Sequence, residues 1–184
     1  MILPLLDEDA TAATVRELGL PERLERANLF RTVMHHPPVG RIVGDAVDAL
    51  VLSGVLDARL RELAILRVGW RIGAAYEWAN HYRLARQAGL SDASITAVQT
   101  ADAAVLSDAE LCVLRVVDEV IDGVSVTPTT LQEAREVLGD DRALLELVMI
   151  PGCYRAIGTV LLSFEIPLED GVAPWPPHGH QPLA

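Results

Sequence analysis

The segment 60–91, LRELAILRVGWRIGAAYEWANHYRLARQAGLS, constrains the fold of this chain more than any other part of the sequence. Its apolar residues recur at intervals of three and four, which is the periodicity of a packed helix. Gly73 and Gly89 interrupt the pattern, and glycine readily adopts the left-handed conformation that often ends a helix. The segment therefore predicts two consecutive helices, at about 57–71 and 75–88, that pack antiparallel and face to face.

Three ionisable residues interrupt the apolar faces of these two helices: Glu62, Glu77 and His81. Glu77 and His81 are spaced i, i+4, so they share one helix face, where the carboxylate can orient the imidazole and raise its pKa. Such a histidine can donate or accept a proton near neutral pH. Spacing alone leaves two simpler interpretations open, a solvated Glu–His pair and a surface Glu62 that pairs with Arg61 or Arg67.

The rest of the chain also predicts helices, and no convincing alternating strand pattern is present. Further helices are expected at about 9–19, 22–35 and 39–53, after Ser91, after Ser107, after Thr127-Pro128 and over 141–164. Aromatic residues make up only 4% of the chain, which favours closely packed helices over a sandwich or barrel. We therefore expect one all-α domain over residues 1–172, followed by a Pro- and Gly-rich tail at 173–184 that is extended or disordered.

Charge and hydropathy restrict the partners of the protein. The net charge is −11 and no basic run stands out, which argues against a nucleic-acid surface. No apolar stretch approaches the roughly 20 residues that cross a bilayer, and the start MILPLLDEDA does not resemble a secretory signal. A cytoplasmic protein without a membrane segment is expected. Cys112 and Cys153 are far apart in sequence and predict two reduced, buried thiols.

The segment 60–91 resembles the core motif of the carboxymuconolactone decarboxylase and alkylhydroperoxidase D superfamily. In the peroxidase branch, a glutamate precedes a Cys-x-x-Cys pair, and a histidine follows four residues after the second cysteine. On this chain the glutamate falls on Glu62 and the histidine on His81, whereas the two cysteine positions hold Ala74 and Glu77. A thiol peroxidase is disfavoured, because its nucleophilic thiolate has no counterpart here.

The resemblance therefore points to the decarboxylase-like branch, which often has Glu-Tyr-Glu-Trp where this chain has Ala75-Tyr76-Glu77-Trp78. The likeness extends from about Asn28 to Gly171. It implies an alkylhydroperoxidase D-like helical bundle that forms homo-oligomers, either trimers or hexamers. Apolar residues on more than one side of several helices favour an oligomer independently.

The resemblance also implies a cofactor-independent carboxy-lyase that acts on a small carboxylated lactone or conjugated acid. The electrons left by departing CO₂ enter the conjugated carbonyl of the substrate itself, so neither an organic cofactor nor a metal is required. In this reaction His81 would deliver a proton, Glu77 would position His81, and Glu62 would tune its charge. A cofactor-free isomerase, hydratase or cyclase, or a non-catalytic small-molecule-binding oligomer, remains an alternative on the same scaffold.

Five further residues are candidates for substrate binding: Arg67, Trp70, Tyr154, Asn28 and His35. Arg67 could bind a substrate carboxylate, and Trp70 is spaced to lie on the same stripe as the motif residues. Asn28 and His35 belong to a leader segment that resembles longer family members, and Tyr154 is a candidate for the pocket wall. No metal site is expected, because the motif residues have no visible fourth ligand.

Overall fold

The computed structural model of the chain describes residues 2–182. Within that range the fold contains nine α-helices, one 3₁₀-helix and one π-helix, and it contains no strand, so the all-α prediction is confirmed. The α-helices are α1 (Glu8–Glu17), α2 (Asn28–Val33), α3 (Pro37–Val47), α4 (Ala58–Ile72), α5 (Ala75–Gln87), α6 (Asp92–Ala97), α7 (Asp108–Gly123), α8 (Pro128–Leu138) and α9 (Asp141–Ser163).

Helix ends follow local sequence signals. Ser107 and Glu110 form a reciprocal capping box at the start of α7, which satisfies backbone N–H groups that have no partner inside the helix. Gly73 has a φ of 71° and Gly139 a φ of 64°, so both adopt the left-handed conformation where α4 and α8 end. Pro37 begins α3 rather than only ending the preceding helix, since the first helical position needs no N–H donor.

Two predicted helices differ from the observed ones. The segment predicted as one helix at 22–35 divides into a 3₁₀-helix at Glu22–Leu24 and α2. The backbone N–H of Asn28 donates to the Glu169 carboxylate at 3.0 Å, so a contact distant in sequence fixes the start of α2. The helix predicted at 39–53 ends as a π-helix at Asp48–Leu52.

The α4 helix is the centre of the molecule. Every residue from 62 to 69 is buried, because α5, α7 and α9 pack around this helix. Glu62 contacts His81, while Arg59 donates to the Gly89 carbonyl at 2.9 Å, so α4 and α5 run antiparallel as predicted. This hairpin is what brings the ionisable residues of the two helices together.

The α4–α5 contact depends on a glycine. A Cβ atom at Gly69 would lie 3.2 Å from the Glu77 Cβ and 3.3 Å from the Trp78 nitrogen. Neither neighbour can move easily, because one is a backbone atom and the other is attached directly to the backbone. Gly69 therefore allows the close approach that places Glu77 against α4.

The α9 helix is long and apolar enough to cross a membrane by length and composition alone, and within residues 2–182 no other helix is. The expectation that no stretch approaches this length is therefore wrong for α9. In this structure the helix packs against α4 and α7 through core residues that include Leu147, Ile150 and Tyr154. It is a core helix of the domain.

Residues 173–182 contain no helix but pack against the domain. Trp175 is 7% exposed and lies with Trp70 and Trp78 in an aromatic cluster. The Trp78 indole donates to the Pro176 carbonyl at 2.6 Å. Residues 173–182 therefore cover one side of the α4–α5 hairpin rather than extending away from it, whereas Leu183 and Ala184 lie outside the described residues.

We expect the substitution Gly69→Ala to lower the free energy of unfolding by about 1–3 kcal/mol, the usual cost of overpacking a core. The matched control is Gly123→Ala, whose Cβ would meet nothing within 4 Å and which should leave stability unchanged or slightly higher. Urea denaturation followed by circular dichroism measures both variants. Equal stability of the two variants would contradict the role assigned to Gly69.

Candidate active site

One cavity of about 600 Å³ reaches the ionisable residues of the hairpin. Its inner wall includes Arg61 from α4, Glu77 and His81 from α5, and Tyr154 from α9. The remaining wall is largely apolar, and part of it comes from the 3₁₀-helix, α2 and the π-helix. The cavity therefore combines an apolar interior with a small set of convergent polar groups, as small-molecule sites generally do.

Glu62 lies behind His81 and is fully buried. Its Oε2 atom is 2.7 Å from His81 Nδ1, and its Oε1 atom accepts a hydrogen bond of 3.0 Å from Arg61 Nε. Both carboxylate oxygens are therefore occupied. Because an ionised Glu62 only accepts hydrogen bonds, His81 carries a proton on Nδ1 and turns Nε2 toward Glu77.

Glu77 lies on the other side of the imidazole, 4% exposed. Its Oε2 atom is 3.7 Å from His81 Nε2, which is close enough for charge attraction but too long for a hydrogen bond. Its Oε1 atom is buried and has no hydrogen-bond partner within residues 2–182. Since buried polar atoms are nearly always paired, this oxygen is an exception that keeps an unused acceptor position beside the cavity.

The two glutamates have opposite pKa shifts although both contact His81. Burial alone would raise the pKa of Glu62, but the charges and hydrogen bonds of His81 and Arg61 outweigh it and lower that pKa. Burial raises the pKa of Glu77 to about 7, and the charge of His81 opposes the rise only in part. Glu62 is therefore ionised at neutral pH, whereas Glu77 is close to its titration midpoint.

The acids around His81 favour its protonated form. Burial by itself would lower its pKa, but the charge and hydrogen bond of Glu62 and the charge of Glu77 raise that pKa above 6.5. The Tyr154 ring meets the imidazole edge to face at a centroid distance of 5.1 Å, so it restrains the ring orientation. Burial also keeps the Tyr154 phenol neutral by raising its pKa well above the ordinary value.

Arg67 does not face the cavity, contrary to the sequence prediction. It is 8% exposed and makes a two-pronged ion pair with Asp118, with both N–O distances at 2.8 Å. Its Nη1 group donates to the carbonyls of Val98 and Gln99. These four hydrogen bonds use the guanidinium to connect α4 with α7 and with the end of α6, so Arg67 has a structural role.

Trp70 is also absent from the cavity wall. Trp70 does not share a helix face with Glu77, because Gly73 ends α4 and the two residues belong to different helices. On α4, Trp70 shares a face with Leu63 and Leu66, and this face packs into the aromatic cluster.

Two residues of the predicted leader segment lie outside the cavity as well. Asn28 is buried and donates to the carbonyls of Pro167 and Leu168, which fastens α2 to the chain after α9. His35 is exposed, and its Nε2 atom lies 2.8 Å from the Pro4 carbonyl oxygen. Tyr154 is thus the one member of the predicted substrate-binding set that lines the cavity.

The sequence indicated Arg61 only as an ion-pair partner of a surface Glu62. The structure makes it a further candidate for the functional site. Its side chain is 14% exposed, it contacts Glu62, and it lines the cavity, so it holds the position predicted for Arg67. The sequence signal was present in its position directly before Glu62. It could not be interpreted without knowing which face of α4 the cavity occupies.

The cavity is not lined by a thiol. Cys112 and Cys153 are free, and neither belongs to the cavity wall. Within residues 2–182 no group of three His, Cys, Asp or Glu side chains is arranged to hold a metal ion. The ionisable groups on the cavity wall are those of Glu77, His81, Arg23, Arg61, Arg83, Tyr76 and Tyr154.

Comparison with known proteins agrees with this architecture. Residues 37–119, which include the whole hairpin, match the model of the carboxymuconolactone decarboxylase family. A similar solved structure is the alkylhydroperoxidase AhpD core protein of Ralstonia eutropha JMP134, described as an uncharacterized peroxidase-related protein. The two share 17% identity at a TM-score of 0.78, over 91% of this chain and 92% of the other.

No curated protein sequence matches the chain. The family match over residues 37–119 and the fold of the solved structure nevertheless agree, and both are consistent with the superfamily of carboxymuconolactone decarboxylase and alkylhydroperoxidase D proteins.

Proposed function

We propose that the protein is a cofactor-independent enzyme that transfers protons at a carbon next to a conjugated carbonyl, in a reaction of the carboxymuconolactone decarboxylase type. The observation that carries the proposal is the chain of contacts Arg61–Glu62–His81–Glu77, in which every member except Glu62 lines the cavity. Ionisable groups that burial and specific charges shift in opposite directions are typical of acid–base sites.

His81 is the proton donor in this proposal. Glu62 holds Nδ1–H, so the transferable proton of the imidazolium is on Nε2, on the side of Glu77. Glu62 lies outside the cavity wall, so it acts through His81 as a positioning residue. This changes the roles expected from the sequence, where Glu77 was to position the imidazole.

Glu77 is the second proton-transfer group. A carboxyl group with a pKa of about 7 can accept and return a proton at neutral pH. The residue lines the cavity, and its Oε1 atom has no hydrogen-bond partner within residues 2–182, so the carboxyl group keeps an unused position for a proton or hydrogen bond.

Decarboxylation at this site requires no external electron acceptor. The bond between the ring carbon and its carboxylate breaks, CO₂ leaves, and the electron pair moves into the conjugated carbonyl to form a dienolate. His81 then gives its Nε2 proton to the carbon end of the dienolate, which restores the carbonyl. Arg61 is the cation nearest this chemistry that lines the cavity, and it is suited to hold the departing carboxylate.

The same two groups support an alternative reaction. Glu77 and His81 lie side by side, with 3.7 Å between the facing atoms, so one could remove a proton from carbon while the other returns it elsewhere. A cofactor-free isomerase, hydratase or cyclase would use this pair without releasing CO₂. Assays that follow both CO₂ and substrate absorbance distinguish these reactions from decarboxylation.

We expect His81→Gln to lower turnover by about 10²–10⁴-fold, the usual contribution of a general acid. Glutamine keeps a polar tip near Glu62, so the fold should survive, as circular dichroism can verify. The measurement is CO₂ release from a panel of carboxylated lactones and β-keto acids. The matched control is His36→Gln, an exposed histidine outside the cavity, which should retain full activity.

Near-normal turnover of His81→Gln on a substrate that the wild type converts would assign the proton donor to another group. A wild type that binds members of the panel but converts none would favour the non-catalytic alternative.

We also propose that the chain forms a homo-oligomer and that α9 contributes to its interface. Leu145 and Met149 are 68% and 54% exposed and are spaced i, i+4, so they form an apolar patch on one face of the helix. Exposed apolar patches of this kind are commonly covered by another protein surface.

Light scattering of the wild type at micromolar concentration should therefore give a mass above that of one chain, 19.9 kDa. Met149→Glu should reduce the mass, because it brings a charge into the apolar contact, whereas Val105→Glu on a distant loop should not. A monomeric wild type at this concentration contradicts the proposal.

A further inference from the structure

Two arginine side chains that make no hydrogen bond or ion pair within residues 2–182 line the cavity. All 15 basic side chains of the protein are arginines, and most of them make hydrogen bonds or ion pairs. Within residues 2–182, the side chains without such a partner are those of Arg16, Arg23, Arg26 and Arg83. Two of these four, Arg23 and Arg83, line the same cavity although they come from different elements, the 3₁₀-helix and α5.

These two arginines lie at the cavity mouth. Both are exposed, whereas Glu77, His81 and Tyr154 on the inner wall are buried. The chain carries 26 acidic residues, so two unpaired arginines at one opening are not explained by a shortage of partners. An unpaired guanidinium pair at an opening favours a carboxylate, because the planar N–H groups match its two oxygens.

The cavity wall is largely apolar and extends along α5 from Tyr76 to Ala88, a rise of about 18 Å at 1.5 Å per residue. Within this stretch Arg83 lies about 9 Å along the helix axis from Glu77. Apolar side chains line the space, among them Leu24, Leu29, Phe30, Val51, Leu52 and Ile157. A small polar ring would leave most of this apolar wall uncovered, and burying apolar ligand surface there contributes about 25 cal/mol per Å².

We propose that the substrate is an elongated amphipathic acid whose carboxylate is held at the mouth by Arg23 and Arg83, with its apolar body along the wall. The end that reacts then lies against Glu77 and His81. The mouth carboxylate is a recognition group, separate from any carboxylate that leaves as CO₂. The proposal rests on the proposed function only for the assignment of the reacting end.

Binding of simple acids tests the proposal without any turnover. Isothermal titration calorimetry with acetate, hexanoate and octanoate should show affinity that increases about fourfold for each added CH₂ group between hexanoate and octanoate. Octanoate should bind more tightly than 1-octanol, and only octanoate binding should weaken between low and physiological salt, because the arginines are exposed.

Variants assign the carboxylate to the mouth. Arg23→Gln and Arg83→Gln should each weaken octanoate about three- to tenfold while leaving 1-octanol unchanged. The matched control is Arg26→Gln, another exposed and unpaired arginine, which does not line the cavity and should leave octanoate binding unchanged.

Three results would overturn the proposal: octanoate that binds no better than acetate, arginine variants that behave like Arg26→Gln, or octyl phosphate that binds at least tenfold more tightly than octanoate. Octanoate binding by the arginine variants is measured without turnover and without a change at Glu77 or His81. The binding result therefore stands or fails separately from the turnover of His81→Gln, which tests the chemistry.

Discussion

The candidate site depends on one interaction, the hydrogen bond between Glu62 and His81 across the interface of α4 and α5. Glu62 is fully buried, and an unpaired carboxylate there would cost on the order of several kcal/mol. Its two oxygens are instead matched by the imidazole on one side and by Arg61 on the other. This pairing fixes the orientation of His81 and its Nδ1 proton, and it favours the charged form of the ring.

The two buried acids beside His81 differ in the direction of their pKa shifts. Glu62 is paired with both His81 and Arg61, and its pKa is lowered. Within residues 2–182, Glu77 has only His81 as an ion-pair partner, at a longer distance, and burial raises its pKa to about 7. The site therefore contains one ionised carboxylate, one imidazole whose charged form is favoured, and one carboxyl group that can exchange a proton. Gly69 makes the arrangement possible, since a larger residue would push Glu77 away from α4.

Much of the fold could be predicted from sequence because its signals are local. Apolar periodicity and the glycines at 73 and 89 define the central hairpin, and Ser107 with Glu110 defines the start of α7. The motif also identified the residues that meet at the α4–α5 interface. Glu77 and His81 lie one helical turn apart, and the likeness to a known motif supplied the approach of Glu62.

The errors in the site prediction come from contacts between residues that are distant in sequence. Arg67 is held by Asp118, 51 residues later, and nothing in the spacing of α4 indicates that partner. Trp70 turns toward Trp175, a residue in a segment that was expected to be extended or disordered. In both cases the direction of the side chain depends on the tertiary packing, which the spacing within α4 does not indicate.

Titration of His81 followed by NMR tests the central claim most directly. The account predicts that the imidazole of the wild type titrates above 6.5, its ordinary pKa, because Glu62 stabilises the charged ring. In Glu62→Gln the pKa should fall, since the negative charge is lost while the burial that disfavours the imidazolium remains. His81→Gln identifies the signal. A wild-type pKa at or below 6.5, or a pKa that Glu62→Gln leaves unchanged, would contradict the account.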